Sequence, residues 1–100
     1  MNGFLLHDKV LEGNMPQVMM AIAQCKNIDE LDNFGYSALH WAVINRQVDI
    51  VKLLLEAGAD VNVRSADGLT PYRNAIDLDF AEIEQLLSFY KDGLLPLRIF

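Results

Sequence analysis

The feature that most constrains this chain is that it repeats itself. Shifted by 33 residues, the sequence falls onto itself: Leu6 and His7 meet Leu39 and His40, Val10 meets Val43, and Val18, Met20 and Ile22 meet Val51, Leu53 and Leu55. A second shift of the same length brings Gly35 onto Gly68, Ser37 onto Thr70, Ala42 onto Ala75, Ile50 onto Ile83, and Leu53 and Leu54 onto Leu86 and Leu87. A period of this length marks a stack of small units. None of them can bury its apolar face alone, and neighbours supply the missing half of the core.

Each unit carries two helical patterns. In the middle copy Leu39, Ala42 and Val43 stand at i, i+3 and i+4 on one face, and Ile50, Val51, Leu53, Leu54 and Leu55 make a second, almost continuous apolar face. The polar run Asn45, Arg46, Gln47 and Val48 separates them as a turn, and Gly58 stops the second helix with a residue suited to left-handed backbone. Asp67 and Gly68 form a turn signal, and Thr70 with Pro71 opens the next helix, Thr as cap and Pro where no N–H is needed. Ser37 takes the Thr role one repeat earlier. The expected architecture is all-α: three helix pairs over about 1–31, 32–64 and 65–93, then an apolar tail over 94–100. Pro96 blocks a continuing helix in that tail. The tail is expected to cover the open end of the stack, with docking onto a second protomer or a partner as the alternative.

Composition narrows the function. Apolar residues make up 52% of the chain and charged ones 22%, which is a folded rather than a disordered balance. The net charge of -6 argues against nucleic acid, whose phosphates need clustered Lys and Arg, and fits a basic protein partner. Cys25 is the single cysteine, so no internal disulfide and no cysteine metal cluster can form. A reducing, cytoplasmic setting follows as the expectation. No stretch is long and apolar enough to span a bilayer, and the first residues lack the pattern of a signal peptide.

The middle copy, from Asp32, Asn33, Phe34, Gly35, Tyr36, Ser37, Ala38, Leu39, His40, Trp41, Ala42 and Val43 through Asp49–Asn62, closely resembles the ankyrin repeat. The third copy matches well and the first more weakly but in phase. The resemblance implies stacked helix pairs joined by hairpin loops, with partners held by the hairpin tips and the concave face of the inner helices. Carried onto this chain, that surface comprises Asn33, Phe34, Tyr36, Ile44, Asn45 and Arg64 in the middle repeat. In the third it comprises Ala66, Asp67, Leu69, Asp77 and Leu78, and the first adds Leu11 and Glu12. Phe34 and Tyr36 stand out, because aromatic groups are enriched at binding hot spots; one of them folding back over the next repeat is the competing reading. Trp41 is expected in the core. The resemblance also implies that His7 and His40 brace the backbone.

The departures from the family pattern are specific. Arg46 stands where the family favours Gly at the turn between helices, a slot filled by Gly13 in the first copy and Asp79 in the third. Either Arg46 takes positive φ, at a cost of about 1 kcal/mol, or the turn shifts and Asn45 takes that position. Arg73 replaces the repeat's His. Glu82, Glu84 and Gln85 suit a polar capping face.

Catalysis finds little support. His7 and His40 one period apart could be a metal pair, but their positions follow from the repeat. Cys25 has no base beside it. Asp77, Asp79, Glu82 and Glu84 lack the spacing of a calcium loop and read as a solvated face or a docking patch. The expected function is therefore non-enzymatic, with no cofactor and no metal. The chain is read as a protein–protein interaction module, an adaptor or inhibitor, with an immunity-type inhibitor of a basic enzyme as its sharper form. A monomer is expected; the alternative is a homo-oligomer assembled through the tail.

Overall fold

The computed structural model describes residues 4–91. Among them are six helices: α1 (Leu5–Glu12), α2 (Met15–Gln24), α3 (Ala38–Ile44), α4 (Val48–Glu56), α5 (Pro71–Leu78) and α6 (Ala81–Lys91). Consecutive helices pair as α1–α2, α3–α4 and α5–α6. The pairs stack so that α1, α3 and α5 form one layer and α2, α4 and α6 the other.

The helix ends follow from identifiable side chains. Asn14 accepts from the Gln17 amide at 3.1 Å to cap α2. Ser37 accepts from the His40 amide at 3.2 Å while His40 Nδ1 accepts from the Ser37 amide at 3.2 Å, a reciprocal cap on α3. Thr70 Oγ1 accepts from the Arg73 amide at 3.2 Å, and Pro71 is the first residue of α5. Each cap satisfies an amide that the helix itself leaves unpaired.

The turn between paired helices settles the question posed by Arg46. Gly13, Arg46 and Asp79 share one slot of the repeat and adopt φ of 76°, 56° and 61°. Asn45, at φ -88°, stays in ordinary space. The turn is not shifted: Arg46 carries the left-handed conformation itself. Its guanidinium lies 5.2 Å from the centroid of the Phe80 ring in the next repeat, an attraction that offsets part of the strain.

Burial explains why the pairs need each other. Val10, Val18, Leu39, Val43, Val51, Leu54, Ile83 and Leu87 are excluded from solvent and come from all three pairs. Polar contacts then fix the register. His7 Nε2 lies 3.1 Å from the Tyr36 carbonyl and 2.9 Å from that of Glu30. His40 Nε2 lies 2.8 Å from the Leu69 carbonyl. Carbonyls only accept, so Nε2 carries the proton in both rings. Tyr36 and Leu69 are one period apart, so the two histidines make the same brace to successive hairpins. In the opposite direction, Gln47 Nε2 donates to the Val10 carbonyl at 2.8 Å. The hairpins touch directly as well: the Ala66 amide donates to the Gly35 carbonyl at 2.8 Å.

The two braces differ at their far side. Ser37 supplies partners to His40 Nδ1, whereas the equivalent position in the first repeat is Phe4, whose ring meets His7 edge-on at 5.4 Å. His7 Nδ1 is accordingly buried without a hydrogen bond. The apolar tail, 94–100, lies outside the described residues.

Candidate partner-binding surface

Asp32 builds the hairpin that presents the middle repeat's aromatic residues. Its Oδ1 accepts from the amides of Phe34 at 2.9 Å and Tyr36 at 3.1 Å, and its Oδ2 accepts from the Trp41 indole N–H at 2.8 Å. The backbone adds Asp32 N to the Tyr36 carbonyl at 2.8 Å and Gly35 N to the Asp32 carbonyl at 2.9 Å. Gly35, at φ 85°, makes the reversal. Burial pushes the Asp32 carboxyl up, but the donors from Trp41, Tyr36 and Phe34, with His7 nearby, outweigh it and hold the group below the ordinary aspartate range. Asp32 is thus ionised and fully committed to the loop.

Three aromatic rings gather on this loop. Tyr36 and Trp41 meet edge-to-face at 4.9 Å, Phe34 and Trp41 likewise at 6.1 Å, and Tyr36 tilts over His40 at 5.8 Å. Tyr36 is half-buried, whereas Phe34 keeps 78% of its surface in solvent. Phe34 therefore does not fold back over the next repeat. Trp41 packs half-buried against the core, as expected from the sequence, and the Asp32 carboxylate holds its indole N–H at the hairpin, so the ring also joins this cluster.

The other expected surface residues scatter. Asn33 is exposed beside Phe34. Ile44 is half-buried at the end of α3, with Asn45 exposed next to it. Asp77 and Leu78 end α5; both are exposed, and Asp77 accepts from Arg73 Nε at 3.0 Å. In the second hairpin Asp67 accepts from the Ser65 hydroxyl, and Arg64 donates to the Gly68 carbonyl at 3.0 Å. Arg64 and half-buried Leu69 line a separate cleft against α5. The structure thus brings Asn33, Phe34 and Tyr36 together with Trp41, leaves Ile44, Asn45, Asp77 and Leu78 at the ends of the inner helices, and puts Arg64, Asp67 and Leu69 in the second hairpin. Asp32, the organiser, was missed by sequence reasoning; the signal was an Asp ahead of a Gly-containing turn, the usual side chain for capping such amides.

The groups considered for chemistry are engaged structurally. Both histidines hold carbonyls. Burial pushes the His40 imidazole down, against a smaller upward pull from the Leu69 carbonyl, Asp67 and Asp32. The Cys25 thiol donates to the Ile22 carbonyl at 3.2 Å. Among the described residues no three His, Cys, Asp or Glu side chains converge to hold a metal, and no helix is long and apolar enough to cross a membrane.

A family model for ankyrin repeats in three copies matches residues 5–93. The chain belongs to the ankyrin-repeat family. Its curated relatives share the repeats within larger proteins. Human protein phosphatase 1 regulatory subunit 27 is 33% identical over 81 residues, covering 81% of this chain and 52% of that protein. Human BCL-6 corepressor-like protein 1 is 40% identical over 65 residues, which is 65% of this chain and 4% of that protein. The palmitoyltransferase akr1 of Schizosaccharomyces pombe is 42% identical over 57 residues, 56% of this chain and 9% of that protein. This ankyrin stack thus spans about half, or far less, of the relatives it matches. Ankyrin repeats are protein-interaction modules, generally without enzymatic activity, and a match to so small a part of a palmitoyltransferase does not carry that enzyme's chemistry.

Proposed function

We propose that this ankyrin stack binds a protein partner through the aromatic tip of its middle hairpin, with contact continuing over Ile44, Asn45, Asp67, Asp77 and Leu78. The observation that carries the reading is Phe34. A phenyl ring with 78% of its surface in solvent stands beside the Tyr36 and Trp41 rings, on a loop fixed by hydrogen bonds at both ends. Rigidly presented aromatic groups are typical binding anchors.

The partner is basic. The chain's net charge of -6 and the exposed Asp67, Asp77 and Asp79 favour it at long range. At contact, the open face of Phe34 suits an arginine or lysine side chain. The module acts by occupying its partner, as an inhibitor or adaptor; the regulatory-subunit name of one relative is in keeping with that role.

The test is a pull-down with tagged protein from native lysate beside Phe34→Ala and Phe34→Ala/Tyr36→Ala variants whose folding is checked by circular dichroism. The captured partner is identified and its affinity measured against salt. Loss of capture in the variants supports the site. Equal capture overturns it, and salt-independent affinity overturns the basic partner.

A further inference from the structure

The far end of the stack holds an uncovered copy of an interface that the chain has already completed twice. In the middle repeat, Leu39, His40 and Val43 form a wall on α3 that is at most 1% exposed. It is closed by the chain leaving α4, which returns over it and sets the Leu69 carbonyl against His40. In the first repeat Leu6, His7 and Val10 form the same wall, at most 5% exposed, closed by the chain leaving α2. One further period carries the wall onto Tyr72, Arg73 and Ile76 of α5. There Tyr72 is half-buried, Arg73 is exposed and Ile76 is 43% exposed. With Leu69 and Arg64 they line a cleft of about 390 Å³.

The identity of the covering element follows from the two finished cases. In each, the segment after the outer helix shares the covering with the next inner helix, and it sends an apolar residue, Ile28 or Val61, against the core. The next such segment follows α6. Among the described residues α6 runs to Lys91, whose ammonium stands 5.3 Å from the centroid of the Tyr72 ring, one of the residues lining the cleft. Only Asp92 and Gly93 separate Lys91 from Leu94, and three residues of chain reach about 10 Å. The repeat places Leu94 in the slot of Ile28 and Val61, followed by Leu95, Leu97, Ile99 and Phe100. We propose that residues 94–100, outside the described residues, dock into this cleft of their own chain against Tyr72 and Ile76. They would close the stack where another repeat's hairpin would sit. A tethered segment this near acts at an effective concentration on the order of millimolar, which a second copy in dilute solution cannot match. The proposal is independent of the hairpin surface.

The test is hydrogen exchange on the full chain, read by mass spectrometry, with light scattering to follow oligomeric state. The parent is compared with Ile76→Asp, a change at a partly exposed position, and with Leu94→Asp. In the monomeric parent, amides after Leu94 are expected to exchange at least about tenfold more slowly than in an unfolded chain. Ile76→Asp abolishes that protection, and Leu94→Asp speeds exchange over 69–76. Exchange at unfolded rates in the parent overturns the proposal. So does protection that survives Ile76→Asp with folding intact. Protection that rises with protein concentration alongside a dimer overturns it in favour of a second copy.

Discussion

His40 Nε2 donates to the carbonyl of Leu69 across 2.8 Å, joining residues 29 apart and tying the middle helix pair to the hairpin of the third. The opposite ring nitrogen accepts from the Ser37 amide and lies 2.8 Å from the Ser37 hydroxyl. A ring that donates at one nitrogen and accepts at the other is neutral, and a second proton on Nδ1 would break the bond it accepts from the Ser37 amide.

That arrangement fixes a pH dependence. The folded pKa of His40 lies below its ordinary value of 6.5, chiefly through burial. Above about pH 6.5 both folded and unfolded states hold the neutral ring, and this group adds no slope. As pH falls below it, the unfolded chain takes up a proton that the folded chain refuses. Stability then declines until the folded ring itself titrates. Urea midpoints at about pH 7.5 and about pH 5 should show the loss, and His40→Gln should shrink it. An unchanged difference in that variant would assign the slope elsewhere.

Gly35 and Gly68 occupy one slot, both at positive φ, but only Gly35 is crowded. A Cβ built there falls 2.6 Å from the Ala66 Cβ, while one on Gly68 meets nothing within 4 Å. Gly68→Ala should cost about 1 kcal/mol, from backbone strain alone. Gly35→Ala should cost about 2–4 kcal/mol, because it also pushes the two hairpins apart. Equal losses in urea unfolding would show that the hairpins are not in contact.

Gln47 crosses between pairs to reach the Val10 carbonyl. Gln47→Ala removes this bond between pairs while the Gly13 amide still donates to the Val10 carbonyl at 3.0 Å, and should lower stability by about 1 kcal/mol. A neutral substitution would mean that water replaces the amide at no cost.

Asp32→Ala removes the acceptor for two amides and the Trp41 indole at once. Trp41 fluorescence should shift to the red as the ring loosens, and partner affinity should fall about tenfold, near 1.4 kcal/mol. The carboxylate also adds its own acid sensitivity. Its folded pKa is depressed, so its contribution is present above the ordinary aspartate range and fades as pH falls through the folded value.

The fold was legible because the repeat writes each decisive residue more than once. Ser37 and Thr70 announce helix starts, the period aligns His7 with His40, and the slot of Gly13 marks the turn between helices, with Arg46 and Asn45 left as alternatives for the left-handed position of the middle repeat. The site was legible only in part. Phe34 and Tyr36 were marked by their place at a turn. Trp41 was read as core from its inner-helix slot and does pack there; its tie to the hairpin was not legible, because periodicity does not register a carboxylate nine residues earlier that the turn swings under the indole. Gln47 looked like spacer for the same reason: its partner lies 37 residues away, across the stack.

The loop around Asp32 has a consequence for speed as well as strength. Its backbone freedom is surrendered when the chain folds, before any ligand arrives, so the disorder usually lost on complex formation is already gone at Phe34. An encounter at this tip needs no rearrangement of the loop. Its success is governed by collision and orientation, and the lifetime of whatever lands is left to the ligand's own fit against the ring.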